Sequence, residues 1–405
     1  MQSSVPIPIS SAGRRLRILV ISWNYPTPAA PQRGLWAERM CNAASQHADI
    51  SVIVPTPWVP PLVPLSSIAR FRQIPQRAIR GSVEIHFPRV PGSIEYFTHG
   101  FDARLALPNV LALARRLHDE RPFDLIHAHF VFPDGVVASA MGQALHIPVM
   151  TSEHAFWTPW LHSQRRVGAQ VDSALPGIRL IAPVSQFLLK NVATYLDGRV
   201  ETAVLPNVVD DSVFFPAPRQ RDPHELLYVG LIRRLKRVDV LIRALAEVRR
   251  TIPEMHLKIL SANAFRAYRQ DRGEVSDLIT RLGLGSAIQI VNGSDPIAVA
   301  EAMRCCSLVV VSSARETFCS VAAESLACGT PLVLTRCGGP EEFVTTADGV
   351  MVEVDGPDAL ANGILEAIRR REAFDPIDMH ARIAAKFGQD AWCNQAMALY
   401  ERVVG

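Results

Sequence analysis

Residues 308–331 read LVVVSSARETFCSVAAESLACGTP, and they predict a strand that turns directly into a helix. Residues 308–311 are apolar, and three of them are β-branched, as is typical of a buried parallel strand. Residues 321–328 carry small and apolar side chains at helical spacing, and Gly329 follows as a helix end. Unpaired backbone N–H groups at such a helix start, together with the helix dipole, bind phosphate. The residues that should supply them are Phe318, Cys319 and Ser320.

Two glutamates flank this predicted anion site, Glu316 in the turn and Glu324 two helical turns further on. Carboxylates are poor ligands for phosphate, but they accept hydrogen bonds from hydroxyl groups. A nucleotide sugar offers both kinds of group, because its diphosphate lies between two hydroxyl-bearing rings. The simpler interpretation is an ordinary strand–loop–helix with two solvated glutamates.

A known family shows the same signature. Glu316 and Glu324 at this spacing, with Ala-Cys-Gly-Thr-Pro at 327–331 and Gly-Gly-Pro-Glu at 338–341, resemble the donor site of retaining glycosyltransferases of family 4. The resemblance implies an α/β protein with the GT-B fold, in which two doubly wound parallel-sheet (Rossmann-like) domains face a cleft. It also implies a hexosyltransferase that moves a sugar from a nucleoside-diphosphate sugar to an acceptor hydroxyl with retention of configuration.

The length of 405 residues favours two domains, and the resemblance gives them roles. A boundary is expected at Pro206-Asn207, which resembles the family's interdomain hinge. The predicted parts are a flexible tail at 1–13, an N-terminal acceptor-binding domain at 14–206, a C-terminal donor-binding domain at 207–388, and a helix at 389–405 that crosses back to the first domain.

Composition predicts a cytoplasmic protein without a membrane helix. The chain is 48% hydrophobic and 20% charged, and no apolar run reaches the roughly 18 residues that a membrane helix needs. Its seven cysteines form no Cys-x-x-Cys pair, which indicates reduced thiols and no zinc site. Residues 1–200 carry 19 Lys and Arg against 12 Asp and Glu, whereas residues 201–405 carry 23 against 27. The basic half could meet an acidic acceptor or an anionic membrane, but no basic run is interleaved with aromatics, as nucleic-acid binding would require.

Residues 55–93 combine prolines, apolar residues and arginines. Apolar residues next to arginines can rest on an anionic bilayer, here the inner face of the membrane. Enzymes of the resembling class that elongate lipid-linked sugars often have such a patch. A long loop packed on its own domain is the other interpretation, and the sequence leaves both open.

The first half offers three candidate site residues. His129 and His154 lie at the carboxyl ends of predicted strands, where ligands bind in open parallel sheets. The resemblance implies that His154 contacts the donor sugar beside the reacting carbon, whereas His129 is predicted to be structural. Gly34 occupies a loop in which relatives often have two glycines for approach of phosphate, and a simple helix-start glycine is its other interpretation.

In the second half, the resemblance assigns cations to the diphosphate. Lys236 matches the family's lysine, but Leu231 stands where an arginine is expected, so Arg233 or Arg234 would substitute. Gly293 is predicted to contact the base. Two further departures are Ser261-Ala262-Asn263 and Cys319, which stand where relatives commonly have glycines.

These roles define the predicted mechanism. Lys236, Arg233 and the backbone N–H groups of 318–320 stabilise the diphosphate, Glu316 orients sugar hydroxyls, and Glu324 accepts from the ribose. No metal and no cofactor other than the nucleotide-sugar co-substrate is expected, because the sequence contains no Asp-x-Asp. A nucleotide-sugar epimerase or a phosphorylase on the same fold is one alternative, and a non-catalytic nucleotide-sugar binder is another.

The expected partners are the nucleotide-sugar donor and a glycan or lipid-linked acceptor, without nucleic acid. The chain uses 38 Arg against 4 Lys, which suggests a GC-rich bacterial genome. Polysaccharide or lipid-linked glycan synthesis is the usual setting of the resembling enzymes there.

Overall fold

A computed structural model describes residues 14–58, 72–91, 102–157, 164–262, 269–293 and 295–405. The predicted tail at 1–13 lies outside the described residues. The chain divides into two compact units. The first unit consists of the chain up to Val208 together with Trp392–Gly405, and the second unit is Val209–Ala391. The sequence had placed these divisions at 206/207 and 388/389.

The first unit is built on a sheet whose order reverses direction at its centre. Its strands are β1 (Arg17–Ile21), β2 (Asp49–Ile53), β3 (Thr56–Trp58), β4 (Arg77–Arg80), β5 (Val83–His86), β6 (Arg89–Pro91), β7 (Leu125–His129), β8 (Val149–Glu153), β9 (Leu180–Pro183) and β10 (Glu201–Thr202). The main sheet has the order β10-β9-β8-β7-β1-β2-β5-β4, in which only β4 runs antiparallel, and β3 pairs with β6. The loops after β1 and β7 therefore meet at the topological switch point, where ligands bind in such sheets.

The helices of this unit connect the parallel strands. They are α1 (Leu35–Ala44), α2 (Asp102–Glu120), α3 (Val136–Leu145), α4 (Arg165–Ala174) and α5 (Gln186–Leu196).

The second unit is a six-stranded, fully parallel sheet. Its strands are β11 (Glu225–Val229), β12 (His256–Leu260), β13 (Ile288–Val291), β14 (Leu308–Val311), β15 (Leu332–Thr335) and β16 (Gly349–Val352), in the order β13-β12-β11-β14-β15-β16. Its helices are α6 (Val238–Thr251), α7 (Arg269–Arg281), α8 (Pro296–Cys305), α9 (Ser320–Ala327), α10 (Pro357–Arg369) and α11 (Pro376–Phe387). Here the order reverses between β11 and β14, so the loops after these two strands lie side by side.

The last helix, α12 (Gln389–Val404), completes the core of the first unit. Trp392, Ala396 and Tyr400 are buried there among the residues of the central strands. The Trp392 indole N–H donates to the Pro206 carbonyl at 2.7 Å, so the largest buried side chain of the helix has its polar group satisfied. Among the described residues, no helix is both long enough and apolar enough to cross a membrane.

Part of the Pro-rich and Arg-rich stretch is regular structure, which corrects its interpretation as a loop. Residues 77–86 form the hairpin of β4 and β5, which turns at Gly81 with φ +58°. Its arginines have partners within the unit, because Arg77 pairs with Glu84 at 2.7 Å and Arg80 with Glu38 at 2.5 Å. Residues 59–71, the centre of the predicted membrane patch, lie outside the described residues.

Candidate functional site

The loop after β11 carries Lys236 and is fastened to the loop after β14. Residues 234–236 form one turn of 3-10 helix. The Ser312 hydroxyl donates to the Lys236 carbonyl at 2.8 Å, and the Ala314 N–H donates to the Leu235 carbonyl at 2.9 Å. The switch point therefore holds Lys236 beside the loop that contains Glu316.

Lys236 and Glu316 form a largely buried ion pair. The Lys236 Nζ lies 2.5 Å from Glu316 Oε1, and the side chains retain 21% and 11% of their exposure. The Ser313 hydroxyl donates to the same oxygen at 2.6 Å. In the described part of the chain no donor reaches Oε2 of Glu316. One carboxylate oxygen thus holds the ammonium group, and the other can accept from a ligand hydroxyl.

Gly339 fixes the backbone around Glu316. The Glu316 N–H donates to the Cys337 carbonyl at 2.7 Å, and the Gly339 N–H donates to the Glu316 carbonyl at 3.0 Å. A Cβ on Gly339 would lie 2.3 Å from the Thr317 carbonyl oxygen, so any side chain would collide with backbone. The Gly-Gly-Pro-Glu turn therefore holds the Glu316 loop at a separation that only glycine allows.

The start of α9 has the features predicted for an anion site. Phe318 is anchored by its side chain, whose ring packs 5.4 Å from that of Phe343 and 5.1 Å from that of Phe387. Neither the Phe318 N–H nor the Cys319 N–H donates to any residue that the structure describes. Ser320 is the first residue of the helix, and Glu324 is buried one turn further along it.

Cys319 takes a backbone conformation that suits glycine. Its φ is +70°, in the left-handed region that costs a residue with a Cβ roughly 1–2 kcal/mol. Its thiol is buried beside Glu316, and burial, with a smaller contribution from Glu316, raises the thiol's pKa well above its ordinary value. The structure therefore explains why the resembling enzymes commonly have glycine here.

Comparing Cys319→Gly with Cys319→Ala should expose this strain. Both variants remove the sulfur, and the glycine variant removes the Cβ as well, so a gain in the glycine variant must exceed the packing that the Cβ provides. We expect the glycine variant to be more stable than the alanine variant by about 0.5–1 kcal/mol, after allowing for the greater freedom of glycine in the unfolded chain. Urea unfolding of the two proteins measures the difference, and equal stability would show that the backbone there is relaxed.

The other residues predicted to bind the sugar donor differ in their exposure and in their contacts. Arg233 lies within electrostatic range of Tyr228, as does Glu316, and its buried Nε has no acceptor among the residues that the structure describes. Arg234 is exposed, and its backbone N–H donates to Asp271 at 3.1 Å. Arg233, Arg234, Leu235 and Arg237, but not Lys236, line a cavity of about 880 Å³. The walls of this cavity carry both acidic and basic residues of α6 and α7. Gly293 follows the edge strand β13, and a Cβ built on it meets no atom within 4 Å.

In the first unit, aromatic rings gather where β7 and β8 end. His129 Nδ1 lies 3.3 Å from His154 Nε2, and the Trp36 ring lies 3.9 Å from that of His154 between centroids. Behind them, His127 bonds to the Tyr400 hydroxyl at 3.0 Å. Burial lowers the pKa of both His127 and His154 to about 3, and it lowers that of His129 well below its ordinary value. All three imidazoles are therefore neutral near pH 7.

Glu153, the last residue of β8, organises the loops around His154. Its carboxylate is 1% exposed and accepts three backbone N–H groups, from Val131 at 2.9 Å and from His154 and Ala155 at 2.8 Å each. The desolvation of the carboxylate raises its pKa, while these hydrogen bonds oppose that shift. One side chain thus fixes the ends of both strands that carry the histidines.

Asp134 makes a similar link between the loops after β7 and β1. Its Oδ1 accepts from the Trp23 N–H at 2.7 Å, whereas its buried Oδ2 has no partner within the described ranges. Burial raises the pKa of Asp134 well above its ordinary value. A carboxyl whose pKa is raised by folding is most favourable when protonated, so stability should fall as pH rises through the pKa of the folded state.

Asp134→Asn should remove the fall in stability with rising pH. The carboxamide oxygen still accepts from Trp23, and the group has no charge to desolvate. We expect the unfolding free energy of the variant to rise relative to that of the wild type as the pH is raised from 5 to 9. Urea unfolding of both proteins at the two pH values measures this change. If the two proteins differ in unfolding free energy by the same amount at both pH values, the raised pKa of Asp134 is contradicted.

Gly34 precedes α1 with φ +70°, and a Cβ there would lie 1.9 Å from the Asn24 carbonyl oxygen. The backbone therefore requires glycine for the turn into the helix, which accounts for this residue without a ligand. Trp36, Glu153 and Asp134 were missed from the sequence. Only the strand order shows that these three residues lie at one end of the sheet.

Two family descriptions match adjacent parts of the chain. Residues 75–213 match Glycosyltransferase Family 4, and residues 210–384 match Glycosyl transferases group 1. D-inositol 3-phosphate glycosyltransferase 2 of Catenulispora acidiphila is 30% identical over 345 residues, which cover 78% of this chain and 77% of that protein. D-inositol 3-phosphate glycosyltransferase 1 of the same organism is 27% identical over 394 residues, or 88% of this chain and 87% of that protein.

Solved structures share the fold over nearly the whole chain. Sucrose-phosphate synthase from Thermosynechococcus elongatus has a TM-score of 0.75 at 18% identity, over 96% of this chain and 99% of that chain. Anabaena HepE in complex with UDP-glucose has a TM-score of 0.69 at 20% identity, over 95% of this chain and 99% of that chain. The predicted family and fold class are thus confirmed, and the chain belongs to the group 1 glycosyltransferases of family 4 type, with the GT-B fold of two Rossmann-like domains.

Proposed function

We propose that the chain is a retaining glycosyltransferase that transfers a sugar from a nucleoside-diphosphate sugar to an acceptor hydroxyl. The observation that carries the proposal is the Lys236–Glu316 pair beside the start of α9. Three kinds of group lie together at the switch point of the sheet: an ammonium group, a carboxylate oxygen that accepts from no described residue, and two backbone N–H groups that donate to none of the described residues. A diphosphate joined to a hydroxyl-bearing ring matches these groups.

In this proposal the cations and the helix start stabilise the leaving group. Negative charge accumulates on the diphosphate as the anomeric bond breaks, so donors fixed around it favour the transition state over the ground state. Lys236 has three N–H donors, of which Glu316 holds one, so two remain for phosphate oxygens. The set is completed by Arg233, whose Nε has no acceptor in the described part of the chain, and by the N–H groups of Phe318 and Cys319. The proposal needs no metal, and we expect EDTA to leave transfer unchanged.

The carboxylates and the histidine are assigned to the sugar rings. Oε2 of Glu316 accepts from a hydroxyl of the transferred sugar, and Glu324 accepts from the ribose. Gly293 is assigned to the nucleotide base, and His154 is assigned a hydrogen bond to the donor sugar near the reacting carbon. A phosphate oxygen of the leaving group takes the acceptor proton, so no separate base is assigned.

The substrates are proposed from relatives. HepE was solved with UDP-glucose, which makes UDP-sugars the first donors to test. For the acceptor we propose a glycan or lipid-linked sugar of a bacterial pathway, met at an anionic membrane surface. A phosphorylated polyol is the second candidate, because the relatives in Catenulispora acidiphila are named for D-inositol 3-phosphate.

A thermal-unfolding screen of nucleotide sugars tests the donor assignment. A ligand at 100 times its Kd stabilises the folded state by about 2.7 kcal/mol, so one class of donor should raise the Tm clearly. Glu324→Ala should lose this shift, whereas Arg250→Ala, on a side chain that is 77% exposed, should keep it. If no nucleotide sugar raises the Tm of the wild type, the donor assignment fails.

Product analysis then separates the possible reactions. A transferase consumes donor only when an acceptor is present and yields a glycoside with the donor's anomeric configuration. An epimerase converts the donor without an acceptor, and a non-catalytic binder shows the Tm shift with no turnover.

A further inference from the structure

Tyr228 lies in an interior strand of the second unit, and its hydroxyl reaches the loop that carries Lys236. It is the fourth residue of β11 and is 2% exposed. A buried phenol needs an acceptor for its O–H, and here the Leu231 carbonyl accepts at 3.1 Å. Burial, with a smaller contribution from Glu316, raises the pKa of Tyr228 well above its ordinary value. The hydroxyl therefore stays protonated and remains a donor near and above neutral pH.

Gly230 allows the chain to turn next to this phenol. Its φ is +149°, which favours glycine, and a Cβ built there would lie 3.1 Å from the Tyr228 hydroxyl oxygen. The Gly230 N–H still donates to the Leu260 carbonyl at 3.0 Å, so the sheet holds the chain up to this residue. The next hydrogen bond that holds the chain is the one from Tyr228 to Leu231.

The loop of residues 231–237 is fastened differently in its two halves. Its second half is tied to the loop after β14, through the Ser312 hydroxyl and the Ala314 N–H. In its first half, residues 231–233, the bond from Tyr228 is the only hydrogen bond to a described residue outside the loop. One phenol O–H therefore anchors the half of the loop that leads to Arg233.

The same phenol lies among the groups assigned to the sugar donor. Tyr228 is within electrostatic range of Glu316, Arg233 and Cys319. If the first half of the loop shifts, Arg233 moves with it, whereas Lys236 keeps its tether from Ser312. The hydroxyl of Tyr228 is thus placed to control one cation of the site without contacting a ligand.

We propose that Tyr228 is a positioning residue of the donor site: its hydroxyl holds the Leu231 carbonyl and thereby sets the place of Arg233 beside the diphosphate. The inference rests on the proposed function, because it requires a diphosphate to bind there. In this role Tyr228 contacts neither the substrate nor the reacting atoms. Loss of the hydroxyl should weaken the stabilisation of the leaving group, while the sheet stays folded.

Hydrogen exchange of single amides in the ligand-free protein tests the anchor without any substrate. Tyr228→Phe keeps the ring in the core and removes only the hydroxyl. The Arg234 N–H donates to Asp271, and the Lys236 N–H donates to the Arg233 carbonyl. We expect both amides to exchange roughly fivefold faster in the variant, because one hydrogen bond no longer opposes opening of the loop. The Gly339 amide, which donates to the Glu316 carbonyl, should exchange as in the wild type.

A kinetic comparison connects the anchor to the reaction. With the nucleotide sugar that the thermal screen identifies, Tyr228→Phe should lower kcat roughly tenfold and change the KM for the donor by less than about twofold. In an Arg233→Ala background the same substitution should lower kcat by less than about twofold, because its effect passes through Arg233. The same loss in both backgrounds is what a merely structural role would produce, and it overturns the proposal.

Two further variants complete the test. Tyr195→Phe removes a phenol hydrogen bond to Asp172 in the first unit, so it should change neither kcat nor the exchange of the loop. Gly230→Ala crowds the Tyr228 hydroxyl from the side of the turn and should reproduce both effects, which covers the case in which Tyr228→Phe fails to fold.

The two measurements also separate this proposal from the proposed function. Faster exchange in a chain that transfers no sugar leaves the anchor standing and removes the transferase assignment. Unchanged exchange of the two loop amides in Tyr228→Phe overturns the anchor. Sugar transfer with an unchanged kcat in Tyr228→Phe overturns the positioning role.

Discussion

Lys236→Ala should lower the turnover number by roughly 10²–10³, the cost of removing one fixed donor from a developing negative charge. The expectation follows from the position of Nζ, which Glu316 and the tethers from Ser312 and Ala314 hold at the switch point. The same substitution should cost about 1–2 kcal/mol of stability, because the largely buried carboxylate of Glu316 keeps Ser313 as a donor but loses its ammonium partner. A large loss of turnover with a small loss of stability is the combination that identifies a catalytic cation. Initial rates and urea unfolding of the same preparations measure the two quantities.

Two companion variants sharpen this test. Arg250→Ala removes an exposed cation of the same unit and should leave turnover unchanged. Glu316→Gln keeps an acceptor for Ser313 but weakens the hold on Lys236, so it should also reduce turnover. If Glu316 acts partly by positioning Lys236, the double variant should lose less than the sum of the two single losses in free energy. Near-normal turnover in Lys236→Ala would remove Lys236 from the site.

The second unit was largely predictable because most of its candidate donor site lies within one continuous stretch of the chain. The strand, the turn with Glu316 and the helix with Glu324 follow one another in the chain, so local pattern and spacing were enough. What the sequence could not show is that Oε1 of Glu316 is already occupied by Lys236 and Ser313. That contact depends on the adjacency of β11 and β14, whose loops are about 80 residues apart in the chain.

The first unit was harder to predict for identifiable reasons. Helix α2 contains Pro108, and proline ordinarily ends a helix, which weakens its periodic signal. The hairpin of β4 and β5 lies in a stretch whose prolines and arginines suggest a loop, and only its Gly81 turn marks it. The site itself combines side chains from three separate loops, so no short motif contains it. His129 and His154 were found because both end strands, but their direct contact required the strand register.

Glu153→Ala should strongly destabilise the first unit, because the one buried side chain of Glu153 satisfies three backbone donors. Replacing it with alanine leaves the N–H groups of Val131, His154 and Ala155 without their acceptor, and each such group costs about 1–3 kcal/mol when it stays buried. Partial entry of water would recover some of this cost. We therefore expect Glu153→Ala to lose about 4 kcal/mol of unfolding free energy in urea.

Glu153→Gln distinguishes the hydrogen bonds at Oε1 of Glu153 from the hydrogen bond at its Oε2. If its amide oxygen takes the place of Oε1, it still accepts from His154 and Ala155, but its NH₂ then faces the Val131 N–H, where two donors oppose each other. The glutamine variant should lose about 2 kcal/mol and keep His154 near its position, with turnover reduced less than in the alanine variant. Glu120→Gln, on a side chain that is 66% exposed, should change stability by no more than about 0.5 kcal/mol. Equal losses in the glutamine and alanine variants would show that the charge of Glu153, and not its three hydrogen bonds, holds the ends of β7 and β8 together.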